Sequence, residues 1–203
     1  MRFLYLHGFA SSPQSRKARA FQSAFDSLGI PLEIPALDGG DFEHLTVSGQ
    51  LSLMEGLLDG EPVRLIGSSM GGYLAALYAA SHPEVSRLVL LAPAFGFASR
   101  WQVKKRESPE VFHYGDQIMR RVHYGLIEDA LRYPPVPDFT QPALIFHGLR
   151  DDVVPIEQSR DFMATHTNAQ LLELESGHEL LDVLERILTE ALPFLLYDSI
   201  TAP

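Results

Sequence analysis

Three residue types in this chain, a serine, an aspartate and a histidine, together have the chemistry of an activated nucleophile. They are Ser69, Asp151 and His178. A serine hydroxyl is a poor nucleophile until a base removes its proton, and an imidazole base needs a carboxylate to orient it. These residue types therefore predict nucleophilic attack on an acyl carbon, provided that the fold brings the three side chains together.

The setting of Ser69 strengthens this prediction. It lies in the pentapeptide Gly67-Ser68-Ser69-Met70-Gly71, between an apolar, β-branched segment typical of a buried strand and a run of strong helix formers. In such a strand–turn–helix the serine projects from the sheet, and the flanking glycines permit close helix–strand packing. The first amides of the helix lack intrahelical partners and suit a developing oxyanion. The pentapeptide pattern also arises by chance, so its weight comes from the strand and the helix.

Asp151 and His178 each follow a segment typical of a buried strand. The acids Asp151 and Asp152 come just after the segment 143–147, and His178 follows the segment 171–174. The carboxyl ends of parallel strands lie at one edge of a sheet, where these residues can meet Ser69. Alone, such an aspartate is most often a turn former and such a histidine a helix cap. The chain order serine, aspartate, histidine at three strand ends favours a catalytic triad.

The elements that must position these residues alternate between strand and helix, which predicts an α/β fold. We expect a doubly wound, mostly parallel six-stranded sheet with helices on both faces. The predicted strands are residues 3–7, 32–35, 63–67, 86–91, 143–146 and 171–174. The predicted helices are 15–28, 47–58, 70–81, 156–166 and 179–196. In the first helix the apolar stripe is Ala20, Phe21, Ala24, Phe25 and Leu28.

Residues 94–139 interrupt this alternation. The segment is far longer than an ordinary connection, and we interpret it as a small helical cap inserted into a single domain of residues 1–203. A helix-like run extends over 109–132. Four aromatic residues in or beside the cap are candidates either to line an acyl pocket or to form the cap's own core; they are Phe95, Phe97, Trp101 and Phe112. Its basic cluster, which is either a solvated face or a site for an anionic substrate tail, comprises Arg100, Lys104, Lys105 and Arg106.

Composition excludes several classes of protein. The chain has 203 residues, with 16 Lys+Arg against 26 Asp+Glu and a net charge of -10, which argues against a nucleic-acid partner. The absence of cysteine excludes a disulfide framework, a thiolate nucleophile and a Cys-ligated zinc. The amino terminus leads into a strand without a signal-peptide pattern, and no apolar run approaches the ~20 residues of a membrane span. A cytoplasmic location is therefore expected; the oligomeric state stays open.

Four motifs together resemble the α/β-hydrolase superfamily, in particular its small single-domain bacterial serine esterases and acyl thioesterases. They are Leu6-His7-Gly8-Phe9, the serine pentapeptide, the stretch from His147 to Pro155, and Gly177-His178. The resemblance implies that Asp151, rather than Asp152, is the triad acid. It also implies an oxyanion hole formed by the backbone N–H groups of Phe9 and Met70. The chain departs from the full pattern in lacking a pair of amino-terminal strands.

The sequence thus predicts a serine hydrolase that cleaves a small-molecule carboxylic ester, without a metal or another cofactor. The main alternative is an acyl thioesterase for acyl-coenzyme A or an acylated carrier. A peptidase or carbon–carbon bond hydrolase uses the same triad, and a non-catalytic binding module shares the fold. His7 and His147 are interpreted as loop-stabilising residues. His113 and His123, ten residues apart in the cap, lack a third metal ligand.

Overall fold

The computed structural model describes residues 1–101 and 107–197, with strands and helices in alternation. The strands are β1 (Arg2–Leu6), β2 (Val63–Ser68), β3 (Val85–Leu91), β4 (Glu110–His113), β5 (Ile118–Arg121), β6 (Ala143–Gly148) and β7 (Ala169–Leu174). The helices are α1 (Arg16–Ser27), α2 (Val47–Leu58), α3 (Met70–Ser81), α4 (Phe97–Arg100), α5 (Gly125–Ala130), α6 (Glu157–Thr165) and α7 (Leu184–Leu196). Within the described ranges, no helix combines the length and apolar character needed to cross a bilayer.

The main sheet is parallel and has the strand order β1-β2-β3-β6-β7. Its side chains alternate between two apolar layers, so that Leu4 and Leu6 of β1 enter one layer while Phe3 and Tyr5 enter the other. Helices α2, α3 and α6 cover the first face and α1 and α7 the second. The predicted α/β fold, with helices on both faces of a mostly parallel sheet, is confirmed.

The sheet has five hydrogen-bonded strands where six were predicted. The segment 32–35 is reduced to one parallel bridge between Leu4 and Glu33. Glu33 donates its N–H to Phe3 O at 2.9 Å and accepts from Tyr5 N at 2.8 Å. Pro31 and Pro35 flank the bridge, and because proline has no N–H they do not donate to a longer ladder.

The insertion between β3 and β6 is not the helical cap that the sequence predicted. The prediction of a helix over 109–132 is wrong for the first half of that segment, because β4 and β5 form an antiparallel hairpin there. The hairpin residues include Val111, Phe112 and Ile118, whose branched or aromatic side chains favour strands. Only α5 is helical in the second half of that run. Lys104, Lys105 and Arg106 of the predicted basic cluster lie outside the described residues.

Helix α1 is present as predicted, but a different set of its side chains is buried. Ser15 caps it by accepting from Ala18 N at 3.3 Å. The buried residues are Lys17, Ala18, Phe21 and Phe25, whereas Leu28 is exposed. The apolar stripe predicted from Ala20 to Leu28 is therefore wrong at its carboxyl end, and a lysine occupies the buried side at its amino end.

Candidate active site

Ser69 lies at the tip of a sharp turn between β2 and α3. Its backbone has φ 54° and ψ -117°, a conformation that a residue with a side chain rarely adopts. Neighbouring elements hold it there, because Ser69 N donates to Leu91 O at 2.8 Å and Ala94 N donates to Ser69 O at 3.0 Å. A strained backbone of this kind costs about 1–3 kcal/mol and persists only when the surroundings impose it.

Gly67 and Gly71 are required by the close packing of this turn. A Cβ atom on Gly67 would lie 2.6 Å from Gly72 Cα, and one on Gly71 would lie 2.6 Å from His7 O. Both contacts are with backbone, which cannot rotate away as a side chain can. The two glycines thus let α3 begin directly against β1 and β2, which fixes where Ser69 points.

The structure brings the three predicted triad side chains into one hydrogen-bonded series. His178 Nδ1 lies 2.8 Å from Asp151 Oδ2, and His178 Nε2 lies 3.1 Å from Ser69 Oγ. The carboxylate can only accept, so Nδ1 carries the proton and Nε2 accepts from the serine hydroxyl. The Asp151 side chain is fully buried and that of His178 is 12% exposed. This arrangement presents a base to the serine hydroxyl within the reach that proton transfer needs.

Asp151 is held as a carboxylate by several donors. Its Oδ1 accepts from Val153 N at 2.9 Å and from Val154 N at 2.7 Å. Burial acts to raise the pKa of Asp151, but hydrogen bonds from His147, His178 and Val154 N outweigh it, and the pKa lies well below its usual value of 3.8. The carboxylate is therefore ionised throughout the neutral range.

His147 contacts the Asp151 carboxylate and the loop that carries it. It is completely buried, and its Nε2 donates to Val154 O at 2.9 Å while lying 3.3 Å from Asp151 Oδ2. Its Nδ1 lies 2.7 Å from Ser159 Oγ and accepts from that hydroxyl when Nε2 carries the proton. The interpretation of His147 as a loop-stabilising residue agrees with these contacts.

Gly148 is a positioning residue that the sequence reasoning missed. A Cβ atom at this position would lie 2.6 Å from Gly177 O and 2.9 Å from Ser176 C. The loops that carry Asp151 and His178 therefore touch backbone to backbone, with Arg150 N donating to Ser176 O at 2.9 Å. The His147-Gly148 pair at the end of a predicted strand was the available signal.

The predicted oxyanion donors lie beside Ser69. A Cβ atom on Gly8 would be 3.3 Å from Ser69 Cβ, so the loop that carries Phe9 packs against the serine. Phe9 and Met70 both line the cavity that contains Ser69. Within residues 1–101 and 107–197, neither of their backbone N–H groups donates to a protein acceptor. Their role as an oxyanion hole stays a prediction.

A cavity of about 1020 Å³ opens beside Ser69 and His178. The insertion supplies much of its apolar wall, and the Trp101 ring packs edge-on against Phe9 with centroids 5.0 Å apart. Of the aromatic residues predicted to line a pocket, Phe97, Trp101 and Phe112 do so. Phe95 belongs to the core, where it stacks on Phe162 with centroids 5.1 Å apart.

The other predicted histidines have structural partners. His7 Nδ1 donates to Gly8 O at 3.0 Å and its Nε2 accepts from Leu37 N at 3.2 Å, so it braces the loop before Phe9. His113 Nδ1 accepts from Asp116 N at 3.1 Å, and His123 Nδ1 accepts from Gly125 N at 3.0 Å. In the described part of the chain no three His, Cys, Asp or Glu side chains are grouped as metal ligands would be.

Solved structures define the class of the fold. A structure of Est1E from Butyrivibrio proteoclasticus with bound ferulic acid superposes with a TM-score of 0.82, at 23% identity, over 96% of this chain and 87% of that chain. Alpha/beta hydrolase domain-containing protein 10 from mouse superposes with a TM-score of 0.78, at 20% identity, over 95% and 88%. The fold is that of the α/β hydrolases.

Within that class, the chain belongs to the family described as "Uncharacterised protein family (UPF0227)", whose sequence model matches residues 2–195. It is also similar to the bovine (Bos taurus) mitochondrial palmitoyl-protein thioesterase ABHD10, with 29% identity over 75% of this chain and 57% of that protein. Esterase LipC of Mycobacterium tuberculosis is 29% identical over 61% of this chain and 36% of its own length. The chain thus spans little more than half of the first relative and about a third of the second.

Proposed function

We propose that this protein is a serine hydrolase that cleaves a carboxylic ester through an acyl-enzyme intermediate. The observation that carries the proposal is the series of contacts from Asp151 through His178 to Ser69, at 2.8 and 3.1 Å. The names of the relatives, which include an esterase and palmitoyl-protein thioesterases, agree with it.

In the proposed reaction, His178 Nε2 takes the proton of the Ser69 hydroxyl as its oxygen attacks the acyl carbon. Asp151 keeps the imidazole in the required tautomer and stabilises the imidazolium that forms. The N–H groups of Phe9 and Met70 donate to the oxyanion of the tetrahedral intermediate. His178 then protonates the leaving alcohol, and water repeats the sequence to release the acid.

The first test is the substitution Ser69→Ala, assayed with 4-nitrophenyl butyrate. We expect a loss in kcat of at least about 10⁴-fold, since a triad without its nucleophile keeps only the binding and oxyanion contributions. A fluorophosphonate probe should label Ser69 in the native protein and leave the variant unlabelled. Wild-type turnover by the variant would refute the proposal, and absence of labelling in the folded native protein would indicate a non-catalytic binding module.

A thioester is the second candidate substrate, because the similar bovine protein ABHD10 is a palmitoyl-protein thioesterase. A volume of about 1020 Å³, walled in part by Phe97, Trp101 and Phe112, has room for a long acyl chain. Comparing acyl-coenzyme A with the 4-nitrophenyl ester of the same acid distinguishes the two leaving groups. The triple variant that removes the charges of Lys104, Lys105 and Arg106 tests whether that cluster recognises the coenzyme's phosphates.

A further inference from the structure

A buried cation lies in the cavity beside Ser69 and has no part in the proposed chemistry. Lys17, at the start of α1, is 8% exposed and lines the cavity together with Ser69 and His178. Within the described residues its ammonium group makes no hydrogen bond and no ion pair. A lysine is almost never this deeply buried without a partner, because removing the ammonium from water is costly.

Further polar side chains line the cavity with Lys17. The Tyr5 hydroxyl lies close to Ser68 but is closed to solvent, so it cannot contact a ligand. Ser68 is 3% exposed and also lines the cavity. The ammonium group and the Ser68 hydroxyl can both donate, so this part of the cavity suits an acceptor that carries negative charge.

The acids near Lys17 do not neutralise it by contact. Glu179 and Asp151 both favour its protonated form, although burial is the larger influence and lowers the pKa of Lys17. Neither carboxylate comes within ion-pair distance of the ammonium. Among the described residues the cavity lining contains three basic side chains, those of Arg16, Lys17 and Arg100, and one acid, Glu179. The charges of the lining therefore favour a ligand group that carries negative charge.

We propose that Lys17, with the Ser68 hydroxyl, forms a subsite for a carboxylate carried by the substrate. The inference rests on the proposed ester hydrolysis and narrows its substrate class to esters that bear a second, anionic group. The ester carbonyl lies at Ser69 while the free carboxylate lies against Lys17. The net charge of the chain, -10, disfavours anions overall, so a preference for such a substrate has to come from a local cation.

The test compares pairs of 4-nitrophenyl esters that differ only in the charge of the distal group. Both members of a pair are mono-4-nitrophenyl esters of the same diacid, which is adipate, suberate or sebacate. In one member the second carboxyl group is free, and in the other it is capped as a methyl ester. For at least one chain length we expect the free acid to have a kcat/KM about 10–100-fold above its capped partner, the range of a charge-assisted hydrogen bond. Equal or lower kcat/KM for the acids throughout the series would overturn the proposal.

The variant Lys17→Met removes the charge and keeps a side chain of similar volume. It should bring the ratio of kcat/KM for the free acid to kcat/KM for the capped ester close to unity. Arg19→Met is the matched control, because Arg19 is an exposed cation on the same helix that bonds Gln14 at 3.0 Å. It should keep the wild-type ratio. An equal loss of the ratio in both variants, or its retention in Lys17→Met, would show that the preference does not arise at Lys17 and would contradict the subsite.

Thermal unfolding separates a binding role from a structural one. Replacing an unpartnered buried charge by an apolar side chain is neutral or stabilising, so we expect the Tm of Lys17→Met to be equal to or above that of the wild type. A fall in Tm together with an unchanged ratio would assign Lys17 a structural role instead.

Binding provides a measurement that does not depend on turnover or on the Lys17 variant. Calorimetry with Ser69→Ala should detect monomethyl suberate and find dimethyl suberate at least about tenfold weaker. If the neutral esters are hydrolysed by Ser69 but neither assay shows a preference for charge, the subsite fails while ester hydrolysis stands. If Ser69→Ala keeps its turnover, the proposed function itself fails.

Discussion

The amide substitution Asp151→Asn tests the arrangement of the triad most directly. Asp151 Oδ1 accepts from Val153 N and Val154 N, so the carbonyl oxygen of the new asparagine stays at that position. Its NH₂ group then takes the place of Oδ2, 2.8 Å from His178 Nδ1 and 3.3 Å from His147 Nε2. Facing a donor, His178 adopts the tautomer with its proton on Nε2, which cannot accept the proton of Ser69.

The expected loss follows from the same geometry. An imidazolium and a carboxylate with charge centres about 4 Å apart attract each other by about 4 kcal/mol at an effective dielectric constant of about 20. Losing that attraction as the proton moves corresponds to about 10³-fold in rate. The wrong tautomer adds to this, so we expect kcat to fall by about 10³–10⁴-fold.

Hydrolysis of 4-nitrophenyl butyrate by the purified variant measures this effect, and Asp152→Asn is the control. Asp152 is exposed and adjacent in sequence, so its substitution removes the same charge without touching His178. We expect Asp152→Asn to keep its activity within about twofold, as surface substitutions usually do. Comparable activity of the two variants would refute the reasoning, and a reversed order would place the acid at residue 152.

Three further outcomes are expected from the structure. Gly71→Ala should destabilise the protein by about 3 kcal/mol in urea unfolding and lower its activity, because the added methyl group meets backbone atoms. Gly56 is an exposed residue of α2, and a Cβ atom there would have no neighbour within 4 Å. The control Gly56→Ala should therefore stabilise the protein by about 0.5–1 kcal/mol. Asp129→Asn should cost about 1–2 kcal/mol in urea unfolding, because the Asp129 carboxylate accepts from Ser48 N and Oγ, both at 2.7 Å, and ties α5 to α2. The pKa of Asp151 is lower in the folded state than its ordinary value of 3.8, so its stabilising effect is present above about pH 4 and fades as the pH falls through the folded-state value. The difference in free energy of unfolding between wild type and Asp151→Asn should accordingly be smaller at about pH 3 than at about pH 7.

The sequence by itself was enough to predict the parallel sheet and the strand ends at which Ser69, Asp151 and His178 lie. Buried parallel strands are short continuous apolar runs, and the residues that follow them must lie at one edge of the sheet. Five of the six predicted strands are present in the main sheet. The segment 32–35 was overpredicted, because its apolar residues favour a strand while the flanking prolines limit the ladder to a bridge.

The insertion and the role of Lys17 depend on tertiary contacts. Residues 110–121 carry both helix-compatible and strand-compatible side chains, and their pairing into a hairpin is a contact between residues that local preference does not determine. Lys17 is four residues from Phe21 on α1 and so lies on its buried side, but a lysine there is more often a solvated end residue.

Only the folded structure decided that this lysine lines the cavity of Ser69 and that no described residue forms a hydrogen bond or an ion pair with its ammonium group. The physical reason is that strands and helices are predicted from the spacing of apolar residues along the chain, which is local in sequence. The environment of a charge comes instead from which distant segments surround it, and neighbouring residues in the sequence do not encode that.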